Sequence, residues 1–337
     1  MNKNFMTMKR RAFAFALSMS MVTSTFSGAG FTLAADNNEV VTATEQIATP
    51  SWAKSGCVYF HTAANTPSNA EAWVVVENES EKFSVSGTYS GKVRAFLPKA
   101  AKNSDGKYLV YNNNSSTVKV AGTSIASKKT GYVTLGTPNS SGKISTTMAV
   151  GSKSYTLTVY VSESEENVYF TTNGSSVDRN NNKITSANGL ASALAVNQST
   201  GLTKKQAKVI NPQITLVQAD GTIDVSETGS KIQGRGNTTW VGKPKKGWNF
   251  NLTTKTSVGN MPKTKKYSLV ANFGDPSLSR DRIAFDLADS CNIASADSRY
   301  ANVYMDGLYV GGYLLTQKYD TTVSLSDEVL YNSDGSV

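Results

Sequence analysis

The feature that most constrains the fold of this chain is a two-residue alternation of apolar and polar side chains. In residues 154–161 the odd-numbered positions, from Tyr155 to Val161, form one apolar face, while Ser, Thr and Tyr occupy the other. A period of two indicates a β-strand with one buried side. Similar short runs, separated by Asn, Gly and Ser, occur at residues 73–76, 93–97, 108–111, 132–135 and 144–150. Roughly seven such strands predict an immunoglobulin-like β-sandwich over residues 51–163.

The first 35 residues have the composition of an export signal. They contain four basic residues and no acidic one, an apolar stretch from Ala12 to about Val22, and small residues at Ala34 and Ala35. This pattern predicts a signal peptide over residues 1–35 and a secreted or cell-surface protein. Residues 36–50 lack periodicity and are predicted to form a flexible leader. No later run approaches the roughly 18 apolar residues of a membrane span, so none is expected after signal removal.

The scarcity of histidine and cysteine excludes several kinds of site. The chain has a single histidine, His61, and two cysteines, Cys57 and Cys291. One histidine excludes a zinc site with several His ligands and leaves one candidate for a Ser-His-Asp triad. Two cysteines exclude a disulfide scaffold and a Cys-rich metal site. No metal ligands are therefore predicted from the residues, and whether Cys57 and Cys291 pair stays open.

Positive charge is concentrated in one block of the chain. Residues 231–282 contain eleven Lys or Arg and only two acidic residues, for a net charge of +9. Outside this block and the first 35 residues, the chain has a net charge of −4. Such a block indicates an anionic partner, either phosphate, nucleic acid or an acidic polymer, although a solvated lysine-rich surface explains it equally well. Nucleic acid is disfavoured because exposed aromatic residues at regular spacing are missing.

The second half of the chain has signals for a helix and a hairpin. The acidic residues at 163–166 mark a domain boundary, so a second domain is expected over residues 164–337. Asp275 is suited to cap a helix and Pro276 to its first turn. The predicted helix has Ile283, Leu287 and Cys291 on one apolar face, which is expected to pack against a sheet with Cys291 in the core. Two apolar runs joined at residues 306–307 (Asp-Gly) predict a β-hairpin.

An ordered series of motifs gives this half a more specific interpretation. Residues 231–246 read KIQGRGNTTWVGKPKK, residues 259–288 read GNMPKTKKYSLVANFGDPSLSRDRIAFDLA, and residues 302–320 read NVYMDGLYVGGYLLTQKYD. Over about residues 165–337 this series resembles the CotH kinase family, named after a spore coat protein H. The glycine-rich segment is no Walker loop, because Arg235 and Gly236 stand where Lys and Ser or Thr are required.

The resemblance implies a divergent kinase-like fold and a nucleotide chemistry. Active members transfer phosphate from ATP, with Mg or Mn, to Ser or Thr of a protein, here a secreted or spore-coat substrate. The chain is therefore expected to be α+β and mostly β, with the sandwich followed by the N-terminal part of a kinase-like domain. Phosphoryl transfer requires cations around the phosphates and carboxylates that bind metal. The family's catalytic aspartates lie in a part that normally follows, so the catalytic residues are unknown and this chain alone is expected to be inactive.

The motif positions supply candidate site residues. Arg235, Lys246 and Arg280 are the predicted phosphate-binding residues, and the residues predicted to support the motif are Gly234, Gly236, Asn237 and Trp240. Each has a structural alternative: Lys246 as an exposed lysine at a strand start, Arg280 paired with Asp281 or Asp286, Asn237 bonded to its own backbone. Trp240 and Trp248 are expected to be core anchors.

Two departures from the family pattern favour a second hypothesis. Asn251 stands where the family has a strand lysine, and Gln317 replaces the glutamate that ends the hairpin. The alternative to a CotH-type kinase is thus a non-catalytic surface protein, with a degenerate kinase-like domain that binds an anionic surface polymer or another surface protein.

Overall fold

Short β-strands are the main secondary structure of the computed structural model, which describes residues 46–80, 88–185, 189–196, 201–293 and 295–318. The first ten strands are β1 (Val58–His61), β2 (Trp73–Val75), β3 (Glu77–Asn78), β4 (Lys92–Pro98), β5 (Tyr108–Asn112), β6 (Val118–Val120), β7 (Thr123–Ile125), β8 (Thr130–Val133), β9 (Lys143–Val150) and β10 (Lys153–Ser162). A 3-10 turn, Lys99–Ala101, follows β4. The strands predicted from the alternation are present, with several shorter ones between them.

The described residues of the second half add ten strands and three helices. The strands are β11 (Glu166–Thr171), β12 (Val177–Asp178), β13 (Lys208–Ile210), β14 (Gln213–Gln218), β15 (Ile223–Thr228), β16 (Lys231–Arg235), β17 (Gly247–Thr256), β18 (Thr264–Val270), β19 (Ser298–Met305) and β20 (Leu308–Gln317). The helices are α1 (Gly189–Ala193), α2 (Thr238–Gly242) and α3 (Arg280–Ser290). The expectation of a mostly β protein with some helix is confirmed. None of the helices in the described ranges is long and apolar enough to cross a membrane.

The first ten strands form two sheets that share one core. One sheet has the order β2-β1-β5-β8 and the other the order β3-β4-β10-β9-β6-β7. Val58 and Val110 from the first sheet pack with Leu157, Val159 and Met148 from the second. In β10 the residues Tyr155, Leu157 and Val159 are buried, as the alternation predicts. The two sheets thus form a sandwich because each places one apolar face against the other.

The remaining strands form a ten-stranded sheet with a core of its own. Its order is β12-β13-β16-β17-β18-β20-β19-β11-β14-β15. The buried residues of one face, among them Ile232, Trp248, Phe250 and Leu269, pack with Leu190 of α1 and with residues of the loops. Successive residues of a strand point to opposite faces, so Gln233, Asn249 and Ser268 lie on the outer face of the same strands.

The ten-stranded sheet also contributes to the core of the sandwich. Tyr169 and Tyr304 lie stacked with ring centroids 4.9 Å apart, and both belong to the sandwich core. The Tyr304 hydroxyl donates to the Phe96 carbonyl at 3.3 Å, and the Phe96 ring stacks on Tyr309 at 4.4 Å. Packing is therefore continuous across the predicted boundary at residues 163/164, which stays a prediction.

The predicted hairpin is formed by β19 and β20, and its turn contacts the sandwich. Asp306 and Gly307 both have positive φ angles, 47° and 76°, as a type I′ turn requires. The Asp306 carboxylate accepts hydrogen bonds from the Thr172 backbone at 2.6 Å and the Leu190 backbone at 2.7 Å. Gly307 accepts a bond from the Val75 backbone at 2.9 Å. The turn is thus held by groups from both halves of the chain.

The helix predicted after Asp275 begins later than expected and is oriented differently. It starts at Arg280, whose N–H donates to the Asp275 carboxylate at 2.9 Å, so Pro276 lies in the preceding turn. Ile283 and Leu287 are 60% and 62% exposed, and Cys291 is exposed as well. The expectation that this face packs on a sheet with Cys291 in the core is therefore wrong.

The reason for this orientation is a polar anchor on the other side of α3. Arg282 forms an ion pair with Glu165 at 3.1 Å, and its guanidinium lies 5.8 Å from the centre of the Tyr300 ring. Phe285 is half-buried on the same side. The contacts of Arg282 and Phe285 hold the helix, and its apolar stripe points outward.

Some predictions fall outside the described residues. The signal peptide (1–35), most of the leader (36–50) and the end of the kinase-like domain (319–337) lie there. At the end of the leader, the Ala48 carbonyl accepts a bond from the Trp73 indole at 3.1 Å. Cys57 is buried and Cys291 exposed, and the two do not form a disulfide.

Candidate functional site

The R-G-N-T-T-W segment forms a sharp turn between β16 and α2. Gly236 has a φ of 93°, a conformation that residues with a side chain rarely adopt. Asn237 precedes α2, and its carbonyl accepts the N–H groups of Trp240 at 3.1 Å and Val241 at 3.2 Å. The Asn237 side chain accepts from the Lys204 ammonium and does not bond to its own backbone. Glycine is therefore needed at position 236 for the turn to close.

Trp240 is fixed in the core by three neighbours. A β-carbon added to Gly234 would lie 2.5 Å from the Trp240 ring, so only glycine leaves room for the indole. The ring meets Trp248 edge-on at 5.5 Å, and its N–H donates to the Leu202 carbonyl at 2.8 Å. Both tryptophans are buried, as expected for core anchors. Gly234 and Trp240 thus support the turn sterically.

A cleft of about 560 Å³ lies beside this turn. It is lined by Gly201, Leu202, Thr203, Lys204, Gly236, Asn237, Thr238, Trp240, Val241 and Lys246. The lining contains two ammonium groups, an indole wall and no carboxylate. In the described ranges neither Lys204 nor Lys246 forms an ion pair with a carboxylate. The cleft is therefore cationic and suited to an anionic ligand.

Lys246 is held in place by the end of α2. Its ammonium donates to the Trp240 carbonyl and, at 2.6 Å, to the Lys243 carbonyl, and it lies 5.5 Å from the centre of the Trp240 ring. Burial lowers the pKa of Lys246. An ammonium has three N–H donors, so one remains after the two carbonyls are bonded. Lys246 is thus neither an exposed lysine nor a freely moving one.

Arg235 lies on the opposite face of β16 from Gly234. Its side chain passes over Gly247, where an added β-carbon would lie 2.8 Å from the Arg235 Cγ. Burial lowers the pKa of Arg235, and the nearby Asp281 carboxylate opposes this shift. Arg235 is not part of the lining of the cleft that contains Lys246. The structure therefore does not bring these two predicted phosphate-binding residues together in one cleft.

Arg280 lies at the exposed start of α3. Its partner is Asp275, with 3.6 Å between Nε and Oδ1, and 77% of its side chain is exposed. The pairings considered from the sequence, with Asp281 or Asp286, are not formed; Asp286 instead pairs with Arg282 at 3.2 Å. An exposed ion pair of this kind contributes little to stability. Arg280 is thus accessible, but it lies outside the cleft.

Lys245 is a half-buried lysine that the sequence analysis missed. Its ammonium donates to the Gly312 carbonyl and lies 4.5 Å from the centre of the Tyr313 ring. Burial lowers the pKa of Lys245 to about 8. The Tyr313 hydroxyl donates to the Lys246 carbonyl at 2.9 Å. The adjacent glycines of the hairpin leave the space that Lys245 fills, and they are the signal that could have identified it.

The two departures from the family pattern have different structural settings. Gln317 is buried, and its amide donates to the Pro262 carbonyl at 2.9 Å, a bond that a glutamate could not donate when ionised. Asn251 lies on the outer face of β17, directly between Lys231 on β16 and Lys266 on β18. Gln317 thus has a structural role, whereas Asn251 lies among cations.

Carboxylates do not converge on the cleft. Within the described part of the chain, no group of three or more His, Cys, Asp or Glu side chains is arranged to hold a metal ion. The described lining of the cleft therefore combines two ammonium groups with no carboxylate that could bind a metal ion.

Comparison with known proteins supports the resemblance in part of the chain. The family model described as CotH kinase protein matches residues 232–337. This range begins in β16 and includes the whole R-G-N-T-T-W turn, α3 and the β19–β20 hairpin. The resemblance to the CotH family is thus confirmed for the C-terminal part. No curated protein matches the chain.

Proposed function

We propose that the C-terminal part of this chain binds ATP through its phosphate groups, as a CotH-type kinase domain. The observation that carries the proposal is the pair of ammonium groups, Lys204 and Lys246, in a cleft of about 560 Å³ whose described lining has no carboxylate. Binding sites for small molecules typically have volumes of about 300–1,000 Å³. A mononucleotide therefore fits the cleft in size and in charge.

Each residue of the cleft has a separate role in the proposed binding of ATP. Lys246 directs its remaining N–H to a phosphate oxygen, because two carbonyls already fix the ammonium. Lys204 supplies a second charge, and Asn237 holds it at the turn. The indole of Trp240 forms an apolar wall for the sugar or the base. A fixed cation stabilises phosphate charge without reorganising on binding, which is the main electrostatic contribution a protein makes to phosphoryl transfer.

The proposal concerns binding, because the described residues do not complete a catalytic site. Phosphoryl transfer uses metal-binding carboxylates and a residue that orients the hydroxyl, and the described lining of the cleft contains neither Asp nor Glu. We therefore derive no step through Mg or Mn. Transfer of phosphate to Ser or Thr of a secreted or spore-coat protein is the activity that the family resemblance adds.

A second candidate function is a non-catalytic protein of the cell or spore surface. Gln317 favours it, because this buried amide has a structural bond where the family has a carboxylate. Asn251 favours it as well, since an amide cannot replace a phosphate-binding ammonium. Export through the signal peptide at residues 1–35 is part of both proposals.

The first experiment is a titration of the full chain with Mg-ATP. Binding is measured by calorimetry and by the shift in the thermal unfolding temperature. Lys204→Gln and Lys246→Gln are each expected to weaken binding at least about tenfold, or 1.4 kcal/mol. Lys205→Gln is the matched control, because Lys205 is exposed and lies outside the cleft lining. The control is expected to bind ATP as the unchanged protein does.

The outcomes of the titration test the nucleotide site first and the activity second. If the unchanged protein does not bind ATP at millimolar concentration, or if the control loses binding equally, the nucleotide site is refuted and the non-catalytic surface protein is favoured. Binding together with transfer of labelled phosphate to protein Ser or Thr supports the kinase. Binding without transfer supports the nucleotide site and does not separate the two proposals, because this chain alone is expected to be inactive.

A further inference from the structure

Helix α3 and the turns on either side of it carry apolar side chains that remain exposed in the described structure. We call them the α3 ridge and define it by Leu278, Ile283, Leu287 and Ile293. Of the eight large apolar side chains exposed within the described ranges, these four lie together in residues 278–293. Exposed apolar residues that adjoin one another mark an interaction site, whereas scattered ones need no explanation. The α3 ridge is therefore a candidate interface.

The turns at both ends of α3 extend the ridge beyond the helix itself. Ser279 is the N-cap, so Leu278 and Ile283 occupy the two positions that pack together in a hydrophobic staple. At the other end, the Ile293 N–H donates to the Ala288 carbonyl at 2.9 Å. This is the bond of a Schellman ending, which folds the residue after the turn back beside the last helical turn. The ridge is thus continuous from one end of α3 to the other.

The α3 ridge is complementary to a second copy of itself when two α3 helices lie antiparallel. A two-fold axis at the middle of the helix brings Ile283 of each copy level with Leu287 of the other. Ala284 is exposed on the same side, and its small side chain lets the two helices approach closely. The same axis brings the first residue of the ridge opposite the last one of the copy. In a two-fold interface every such contact is made twice, so one arrangement covers the whole ridge.

The ends of α3 are electrostatically complementary in the same arrangement. Arg280 lies three residues before Ile283, on the side of the ridge, and 77% of its side chain is exposed. Its Nε is 3.6 Å from Asp275, which leaves the terminal N–H groups of the guanidinium to donate elsewhere. The last turn of α3 contains no basic residue, although the end of a helix carries a partial negative charge. An antiparallel copy places its Arg280 at that end.

We propose that two copies of this chain associate through the α3 ridge, with their α3 helices antiparallel. A second copy is the partner that fits, because a single two-fold axis matches both the apolar side chains and the charged ends. Helix α3 has 11 residues and is about 16 Å long. Contacts of this length bury less than the roughly 1,600 Å² of a standard interface, so we expect a reversible dimer with a Kd on the order of 10 µM. The α3 ridge does not line the cleft beside Trp240, and the proposal does not depend on the binding of ATP.

The first test is sedimentation velocity of the full chain at concentrations from about 1 µM to about 300 µM, which bracket the expected Kd. The unchanged protein is expected to shift from monomer to dimer over this range. Ile283→Gln with Leu287→Gln is expected to weaken association at least tenfold. Ile223→Gln with Val241→Gln is the matched control, because it also removes two exposed apolar side chains and both lie outside α3 and its turns. The control is expected to form dimers as the unchanged protein does.

The second test is a cross-link that depends on the antiparallel register. Position 280 of one copy lies level with Cys291 of the other, at the 8–10 Å spacing of packed helices. The two Cys291 thiols lie at opposite ends, about 16 Å apart along the axis. A short bis-maleimide linker is therefore expected to join Arg280→Cys chains into covalent dimers, at least tenfold more efficiently than unchanged chains.

Several outcomes overturn the proposal. A chain that stays monomeric throughout the concentration range refutes it; if Cys291 then reacts slowly with a thiol reagent, another segment of the same chain covers the ridge. Equal association of the ridge variant and the unchanged protein, or an equal loss in the control, refutes the assignment to α3. A dimer that depends on the ridge but is not cross-linked in Arg280→Cys refutes the antiparallel arrangement. Urea midpoints at about 1 µM, where the unchanged protein is monomeric, show whether the variants are folded.

Discussion

Replacement of Gly234 by alanine tests whether the turn depends on the close approach of Trp240 to the strand. The added β-carbon would lie 2.5 Å and 2.6 Å from two ring carbons of Trp240 and 3.0 Å from the Lys204 carbonyl oxygen. The indole cannot move aside freely, because its N–H is bonded to Leu202 and its edge meets Trp248. The strand or the ring must therefore shift by about 1 Å.

The expected loss of stability follows from the two ways of relieving the contact. Forcing an extra carbon into a packed core costs about 1–3 kcal/mol. Expelling the indole instead gives up the burial of a large aromatic side chain, a loss of about 3–5 kcal/mol. We therefore expect Gly234→Ala to lower the free energy of unfolding by about 2–4 kcal/mol. Because Trp240 forms a wall of the cleft, binding of Mg-ATP is expected to weaken as well.

Urea denaturation followed by tryptophan fluorescence measures this change, and the neighbouring glycine supplies the control. Gly242 has no heavy atom within 4 Å of an added β-carbon, so Gly242→Ala is expected to change stability by less than about 1 kcal/mol. In a Trp240→Leu background the ring is gone and the Lys204 carbonyl oxygen is the remaining close contact, so Gly234→Ala is expected to cost clearly less than in the unchanged protein. An unaltered urea midpoint for Gly234→Ala, or an equal cost in both backgrounds, would refute the steric argument.

The remaining predictions concern the cysteines, the single histidine and the hairpin turn. Cys291 is exposed and Cys57 buried, so a thiol reagent is expected to modify one group in the native protein and two after unfolding; two native modifications contradict this. Burial lowers the pKa of His61 from 6.5 to about 4. The free energy of unfolding is therefore expected to keep its full value above pH 6.5 and to fall as the pH drops towards 4, because in this range the unfolded chain binds a proton at His61 that the folded chain does not. An NMR titration of the imidazole checks the pKa, and His61→Gln is expected to flatten this part of the stability profile. In Gly307→Ala the alanine would have to adopt a positive φ, and its β-carbon would lie 2.8 Å from the Trp52 ring. We therefore expect the free energy of unfolding in urea to fall by about 2–4 kcal/mol, and a fall of less than about 1 kcal/mol contradicts this.

The parts of the fold that the sequence predicts well are those set by local patterns. Alternation in residues 154–161 identifies the buried side of β10, because a strand has a fixed period and one apolar face has to be covered. The Asp-Gly pair at 306–307 predicts the hairpin, since few residues adopt two successive positive φ angles. Trp240 and Trp248 are buried as expected for large aromatic side chains.

The orientation of α3 could not be predicted in the same way. The spacing of Ile283 and Leu287 correctly indicates an apolar stripe, but the spacing contains no information about which side of the helix meets the sheet. The contacts of Arg282 with Glu165 and Tyr300 decide this, and those partners are distant in sequence. Local periodicity therefore identifies the helix and leaves its rotation undetermined.

The motifs in the sequence identify candidate site residues, but they do not predict which of these residues lie together in the fold. Arg235 and Lys246 stand in one motif, yet they belong to different surroundings because Arg235 lies on the outer face and Lys246 at the cleft. Lys245 and Lys246 are adjacent in sequence, and nothing local indicates which of them is the more buried. Lys204 comes from a preceding loop with no motif of its own, so only the fold places it at the cleft.

The shared aromatic packing of Tyr169 and Tyr304 limits how the two halves of this protein can be recombined. Removing residues 51–163 would uncover the stacked pair and the ring of Tyr309, which now contacts Phe96. A chimaera that joins the C-terminal part to an unrelated N-terminal domain would need a matching aromatic surface at that seam. Cutting the chain at residues 163/164 for separate expression therefore exposes core side chains on each half. A shortened form of the protein has to keep the sandwich and the ten-stranded sheet together.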